Sequence, residues 1–274
     1  MCLIVIAIRT HPIYPLVIAA NRDEFYHRPT APLSFWEDHG DGMADVLAGR
    51  DLQGHGTWLG VTAGGRFAAI TNYREPNAMD PGAVSRGLLV SDFLLSDTSP
   101  EDYLKSIADS GKTYNGFNLV VGNILDSEMR LLPELWWYSN KKNEILNIPT
   151  GVHAISNHLM DTPWPKTRKT TEGIRKILAD PKPINPEPIF NLLADTSRPP
   201  DAELPDTGVG LEWERVLSSV FVVSPVYGTR SSAVILVNRS GRLTFFERTF
   251  ASGAEPPVAE ETREFEIRLK ISDE

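Results

Sequence analysis

The chain has 274 residues, 41% hydrophobic and 23% charged, with a net charge of −9. This is the composition of an ordinary globule and excludes a disordered chain, a coiled coil or a collagen. The acidic balance argues against a nucleic-acid surface, which needs a basic face. The longest apolar run, residues 1–8, falls far short of the roughly 18 residues a membrane helix needs, so no membrane-spanning segment is expected.

The elements predicted in chain order are mostly strands. Residues 3–8 are β-branched and apolar, 16–20 follow after a turn with Pro12 and Pro15, and the two read as a hairpin. Residues 58–62 and 66–71 flank Ala63-Gly64-Gly65, a second hairpin signal. Helices are predicted over 85–95 and from Pro100, where Glu101 and Asp102 suit the positive end of a helix dipole. Strands return at 118–125, 129–138 and 151–156. Helices at 165–178 and 187–194 follow, within and before a proline-rich surface stretch over 180–205. The last predicted strands are 219–224, 232–237 and 243–250. Antiparallel hairpins with two groups of helices favour a layered α+β domain over a parallel doubly wound sheet. No repeat or change of composition divides the chain, so 1–274 is read as one domain. One cysteine allows no internal disulfide, and the absence of a basic segment before the first apolar run gives no secretory signal, so the expected location is cytoplasmic.

Cys2 is the first candidate for chemistry. A thiolate is a strong nucleophile, and removal of Met1 would give Cys2 an α-amine with a pKa of about 8, a few bonds from its own sulfur, able to act as general base. The plain alternative is a small buried residue at the start of a strand. Asn21-Arg22-Asp23-Glu24 places four polar residues directly after an apolar strand. Thr71-Asn72-Tyr73 and Ile155-Ser156-Asn157 each end an apolar strand in an amide, and Tyr227-Gly228-Thr229-Arg230 precedes another strand. An asparagine there can donate to an oxyanion or cap a turn. The histidines His11, His27, His39, His55, His153 and His158 lack metal-site spacing, so no metal is expected. Gly54-x-Gly56 with Gly60 is not a dinucleotide fingerprint: its third glycine is one place late and a strand follows it. No cofactor is expected.

Met-Cys at the terminus, Ala19-Ala20-Asn21-Arg22-Asp23-Glu24-Phe25-Tyr26 with Arg28-Pro29, Gly56-Thr57-Trp58-Leu59-Gly60, Thr71-Asn72-Tyr73 and Tyr227-Gly228-Thr229-Arg230 occur in one order. Together they resemble the NRDE family, which includes the transport and Golgi organisation protein 2 group. The resemblance runs from residue 1 to about 250 and implies a branch of the N-terminal nucleophile hydrolases, with a four-layer αββα sandwich of mostly antiparallel sheets. Similarity to the choloylglycine hydrolase and penicillin V acylase group implies Cys2 as nucleophile, with Arg22 and Asp23 beside it. It further implies Asn72 as an oxyanion-hole amide, Asn157 as a second active-site asparagine and Arg230 as a distal arginine. The acylases separate their arginine and aspartate, whereas here the two are adjacent. Neighbours on a strand point to opposite faces, so without a bulge only one of them faces Cys2.

The leading reading is a cysteine N-terminal-nucleophile amidohydrolase that cleaves a non-peptide C–N bond in a small-molecule or acyl-lipid amide. The alternative on the same scaffold is a non-catalytic haem or acyl-lipid binding protein, since one fold hosts unrelated functions. A structural module would instead show a large exposed apolar patch.

Overall fold

The structure is a computed structural model that describes residues 2–36, 46–111 and 114–272. Two antiparallel sheets form its centre. The first has the order β10-β1-β2-β11-β12-β13, from β1 (Cys2–Ile8), β2 (Leu16–Phe25), β10 (Gly151–Ile155), β11 (Tyr227–Val237), β12 (Arg242–Phe250) and β13 (Ala259–Arg268). The second runs β3-β4-β5-β6-β7-β8-β9, from β3 (Thr30–Phe35), β4 (Val46–Asp51), β5 (Leu59–Thr62), β6 (Arg66–Asn72), β7 (Phe117–Leu125), β8 (Leu131–Ser139) and β9 (Glu144–Asn147). Helices α1 (Gly87–Leu94) and α2 (Pro100–Asp109) cover the second sheet, and α3 (Pro165–Leu178) and α4 (Glu187–Leu193) cover the first.

The central strands are apolar on both faces because both are covered. On β1 and β2, Ile4, Ile6, Ile8, Leu16, Ile18 and Ala20 face the other sheet, where they meet Phe67, Val120 and Trp137. The alternate residues Val5, Ala7, Val17 and Ala19 pack under Ile174, Leu178, Ile189 and Phe190 of α3 and α4. On the far side Ala68, Leu119 and Val121 pack under Leu89, Phe93 and Leu104 of α1 and α2. Period-two alternation thus feeds three apolar layers, and the result is a four-layer αββα sandwich.

Four strands and one helix depart from the elements expected. β3, β9 and β13 are sheet edges, half-exposed or exposed, so their sequences lack the apolar alternation that marks an inner strand. β13 is charged for most of its length and buries only Ile267 well. β4 is short and ends in Gly49-Arg50-Asp51. Helix α5 (Leu211–Leu217) is only seven residues long, leaves Leu211 and Trp213 exposed and buries Glu214 and Leu217. The strand expected over 219–224 is absent: that stretch makes a single bridge, Val223 to Gly228. Its apolar residues are buried all the same, because the Asn21 side chain takes the Val220 carbonyl that a neighbouring strand would otherwise take. Among the described residues no helix is long and apolar enough to cross a membrane.

Gly122 on β7 shows how closely the second sheet is packed. A Cβ there would meet the Glu134 carbonyl oxygen at 2.2 Å and the Leu135 Cα at 2.8 Å, and neither backbone atom can swing aside. Gly122→Ala should therefore destabilise the protein by about 3 kcal/mol. It should lower the urea unfolding midpoint at unchanged slope. A midpoint equal to the parent's would contradict this packing.

Candidate active site

β1 is hydrogen-bonded on both sides, and its register with β2 sets Cys2 directly opposite Arg22. Both continue the series whose earlier members face the other sheet, so their side chains leave the pair on one side. There they line a cleft of about 390 Å³. Asp23, Asn72, Trp58 and Arg86 line it as well.

Cys2 is 7% exposed. Burial pushes its thiol up from the ordinary value; the chain's amino terminus pulls it down, the Asp23 carboxylate pushes it up, and Arg22 and a hydrogen bond from the Asp23 backbone N–H pull it down. Burial wins, so the thiol stays protonated in this chain, in contrast to the activated thiol expected once Met1 is gone. Met1 itself lies outside the described residues.

The four residues of the polar block part company. Asn21 is wholly buried and satisfied: its amide donates to the carbonyls of Leu193 at 2.8 Å and Val220 at 2.9 Å and accepts from Ser232 at 2.6 Å. It ties β2 to the end of α4. Arg22 is buried with an Nη1 that has no hydrogen-bond partner among the described residues. Asp23, on the opposite parity, turns to the rear: its Oδ1 accepts from the Thr229 hydroxyl at 2.7 Å, and its carbonyl accepts from the Tyr227 hydroxyl at 3.0 Å. Glu24 reaches the rim, 3.9 Å from Arg28. There is no bulge in β2 against β1. Arg22 meets Cys2 through its side chain and Asp23 through its backbone N–H, which is how adjacent residues serve one sulfur. The Tyr227-Gly228-Thr229-Arg230 motif supports this arrangement. A Cβ on Gly228 would lie 2.2 Å from the Tyr26 hydroxyl, and Thr229 Oγ1 is aimed at Asp23 because it also accepts from the Val222 N–H at 2.9 Å.

Asn72 ends β6 and lines the cleft. Asn157 does not. It is fully buried behind Asn72, and its Nδ2 donates to the Asn72 carbonyl at 3.1 Å. Its Oδ1 faces Arg74 and Lys166, each at 3.4 Å. The neighbouring Ser156 hydroxyl donates to the Cys2 carbonyl at 3.3 Å. Arg74, Lys166 and Glu214 are the members of this rear cluster that the sequence reading missed. Arg74 pairs with Glu214 at 2.7 Å and lies over the Trp164 ring. The Glu214 carboxylate also accepts from the Thr207 N–H at 2.7 Å and the Thr207 hydroxyl at 2.6 Å. One signal was available: Lys166 stands in the first turn of a helix with no acidic residue there, against the preference of the helix dipole.

Arg230 is placed elsewhere. It is the extra residue where β11 shifts register against β2, between Thr229 and Ser231. Its Nη1 donates to the Phe25 carbonyl at 3.1 Å and the Arg28 carbonyl at 2.8 Å. It lines a second cavity of about 230 Å³ and not the Cys2 cleft, so the convergence expected for it on the reacting atoms does not occur; Arg22 and Thr30 form a wall common to both spaces. Of the described histidines, His153 pairs with Asp161 at 2.7 Å and His158 with Thr162 at 2.8 Å. His39 lies outside the described residues.

The family model described as Transport and Golgi organisation 2 matches residues 1–252. A cattle Transport and Golgi organization protein 2 homolog is 36% identical over 289 residues, covering 98% of this chain and all of that one. The human homolog is 34% identical over 268 residues, with 91% and 93% covered. The Drosophila melanogaster protein is 28% identical, with 93% and 94% covered. In three dimensions a conjugated bile acid hydrolase from Clostridium perfringens matches 100% of this chain and 99% of its own, with a TM-score of 0.52 and 10% identity. That likeness is one of fold, the fold of the N-terminal nucleophile hydrolases. By sequence, over almost all of its length, the chain belongs to the Transport and Golgi organisation 2 family.

Proposed function

We propose that the protein is a cysteine N-terminal-nucleophile amidohydrolase that cleaves the C–N bond of a small acyl amide. The observation that carries this reading is the meeting of Cys2, Arg22 and Asn72 on one cleft, with the Asp23 N–H on the sulfur. A strand-end thiol with a purely structural role needs neither the arginine opposite it nor the amide across from it. Hydrolysis by a protein of the same fold, the conjugated bile acid hydrolase, gives precedent for such chemistry on this scaffold.

Removal of Met1 frees the α-amine of Cys2, which takes the thiol proton. The thiolate forms a bond to the amide carbonyl carbon, and the Asn72 side-chain amide donates to the oxyanion. Collapse of the tetrahedral intermediate breaks the C–N bond, and the protonated α-amine passes its proton to the leaving nitrogen. Water then gives a proton to the α-amine and its oxygen to the acyl carbon, and the thioester breaks to release a carboxylic acid. Arg22 favours the thiolate by its charge, and Asp23 anchors the amine. Asn157 acts from behind by holding the Asn72 backbone. Arg230 acts from the second cavity, by fixing the turn between Phe25 and Arg28.

The cleft also bears on the substrate. Trp58, Ile70, Pro81, Ala83 and Val84 form its apolar part, and charged and polar side chains make up most of the rest. This suits an amide whose acyl part lies on the apolar strip. It suits less well a carrier of a wholly apolar cargo, the reading of the scaffold as a haem or lipid binder.

The first test joins intact mass to labelling. Protein lacking Met1 should alkylate at Cys2 with iodoacetamide at pH 7 faster than free cysteine, because a new amine and Arg22 act on the sulfur. A rate equal to free cysteine in protein of the processed mass would count against activation.

The second test is turnover of a panel of acyl amides. Cys2→Ala should abolish it while leaving binding intact, and Asn72→Ala should lower kcat by about a hundredfold with KM little changed. Processed protein that hydrolyses no member of the panel, yet binds haem or lipid independently of Cys2, would overturn the enzyme reading.

A further inference from the structure

Behind the cleft lies a buried group of charges that the proposed reaction does not use. Lys166 opens α3 and is only 3% exposed. A lysine that deep needs compensation. The neighbouring cation Arg74 is already committed to Glu214 at 2.7 Å, and Glu214 is further engaged by Thr207. Lys166 is therefore the cation left over, and one contact and one electrostatic influence show where its charge is used. Its Nζ lies 3.4 Å from Asn157 Oδ1. Of the charges around Asp23, Lys166 exerts the largest pull on the carboxylate.

The Asn157 contact fixes the sense of an amide. With two cations at its oxygen, the Asn157 side chain cannot turn over without presenting its NH2 to Lys166 and Arg74. Its Nδ2 is thereby held on the Asn72 carbonyl. The influence on Asp23 is one of charge. Burial pushes the Asp23 carboxyl up toward its neutral form, and Lys166 opposes this ahead of the amino terminus, Thr229 and Arg74. The groups facing Lys166 are Cys2 of β1, Asp23 of β2, Arg74 after β6 and Glu214 of α5, with Tyr227 of β11 against Asp23. Burial and Arg74 push the Lys166 ammonium down to about 8, while Asp23, Cys2 and Glu214 hold it up.

We propose that Lys166 is a positioning residue of this site: its ammonium holds the Asn157 amide in the sense that braces Asn72, and its charge, buried behind the cleft, acts on the Cys2 sulfur. The inference rests on the amidohydrolase reading. It adds a cation behind the nucleophile to the arginine in front of it.

The experiment measures the rate of Cys2 alkylation between pH 5 and 10 in processed protein and in its Lys166→Met variant. Loss of the buried charge should slow labelling at pH 7 about tenfold and move the profile up by about one pH unit. A lysine that merely filled space would leave the profile where it was, so a folded Lys166→Met protein with the parent's profile overturns the proposal. Should that variant fail to fold, the test passes to the unsubstituted protein with 13C-labelled lysine, titrated by NMR before and after Cys2 is modified with iodoacetate. The carboxylate so introduced should raise the midpoint of one lysine, the one titrating lowest, by about half a pH unit or more. A midpoint that does not move overturns the coupling. The two readings fail separately: a parent rate no faster than free cysteine removes the activated nucleophile, whereas the lysine titration reports on Lys166 whether or not the protein turns anything over.

Discussion

The pairing of Cys2 with Arg22 is the constraint on which the site depends. It is set by apolar residues and not by the polar ones. Ile4, Ile6 and Ile8 on β1, and Leu16, Ile18 and Ala20 on β2, all face the second sheet. A slip of one residue on either strand would turn a whole apolar row toward the helices and the other row inward. The register is thus held by the core, and the terminal pair is carried along with it. β11 fixes β2 from the other side over ten pairs, with its one shift at Arg230. That shift restores Thr229 to the side of Asp23 and Ser231 to the side of Arg22.

A second consequence concerns charge. The rear of the cleft buries Arg74, Lys166, Asp23 and Glu214 together. Ion pairs so deep are poor sources of stability, because desolvation offsets most of their attraction. What they provide is direction. Each carboxylate there is fixed by a neutral donor, the Thr229 hydroxyl at Asp23 and Thr207 at Glu214, and the Tyr227 hydroxyl holds the Asp23 backbone carbonyl. The Thr229 hydroxyl is itself held by the Val222 N–H, which limits the arrangements open to it. The cluster also keeps the Lys166 charge facing Cys2 where solvent screens it little.

Much of this was legible from sequence where the apolar pattern is continuous. The inner strands β1, β5, β6, β7 and β11 announce themselves by unbroken apolar runs, and α1 and α3 by helical spacing. The edges β3, β9 and β13 did not, since an edge strand such as β13 is charged on the side where an inner strand would be apolar. Residues 219–224 misled in the opposite sense. They are apolar because they are buried, yet Asn21 supplies the hydrogen bond that a ladder would supply. At the site, Cys2, Arg22, Asp23 and Asn72 could be named because they stand in dense motifs. Arg74, Lys166 and Glu214 could not, because each is one charged residue in an ordinary setting, and their meeting depends on the third dimension. Only Lys166, a cation at the wrong end of its helix, carried a local sign of another purpose.

The adjacency of Arg22 and Asp23 shows how a strand can give two neighbours one task. Alternation sends their side chains apart, Arg22 into the cleft and Asp23 toward Thr229. A strand nevertheless presents its N–H groups in the plane of the sheet, so the Asp23 N–H still points across to β1 and reaches the sulfur. Side chain and backbone approach the same atom from two directions, and the Asp23 carboxylate remains available to the charges behind. Arg22 bounds the cleft on one side and the second cavity on the other, with an Nη1 that has no hydrogen-bond partner among the described residues. A buried guanidinium nitrogen left without an acceptor is costly to maintain. Its burial opposite the sulfur is understandable where the missing acceptor is supplied in use, by the thiolate or by an oxygen of a bound substrate, and that places the cost of Arg22 on the same side of the argument as the function proposed for Cys2.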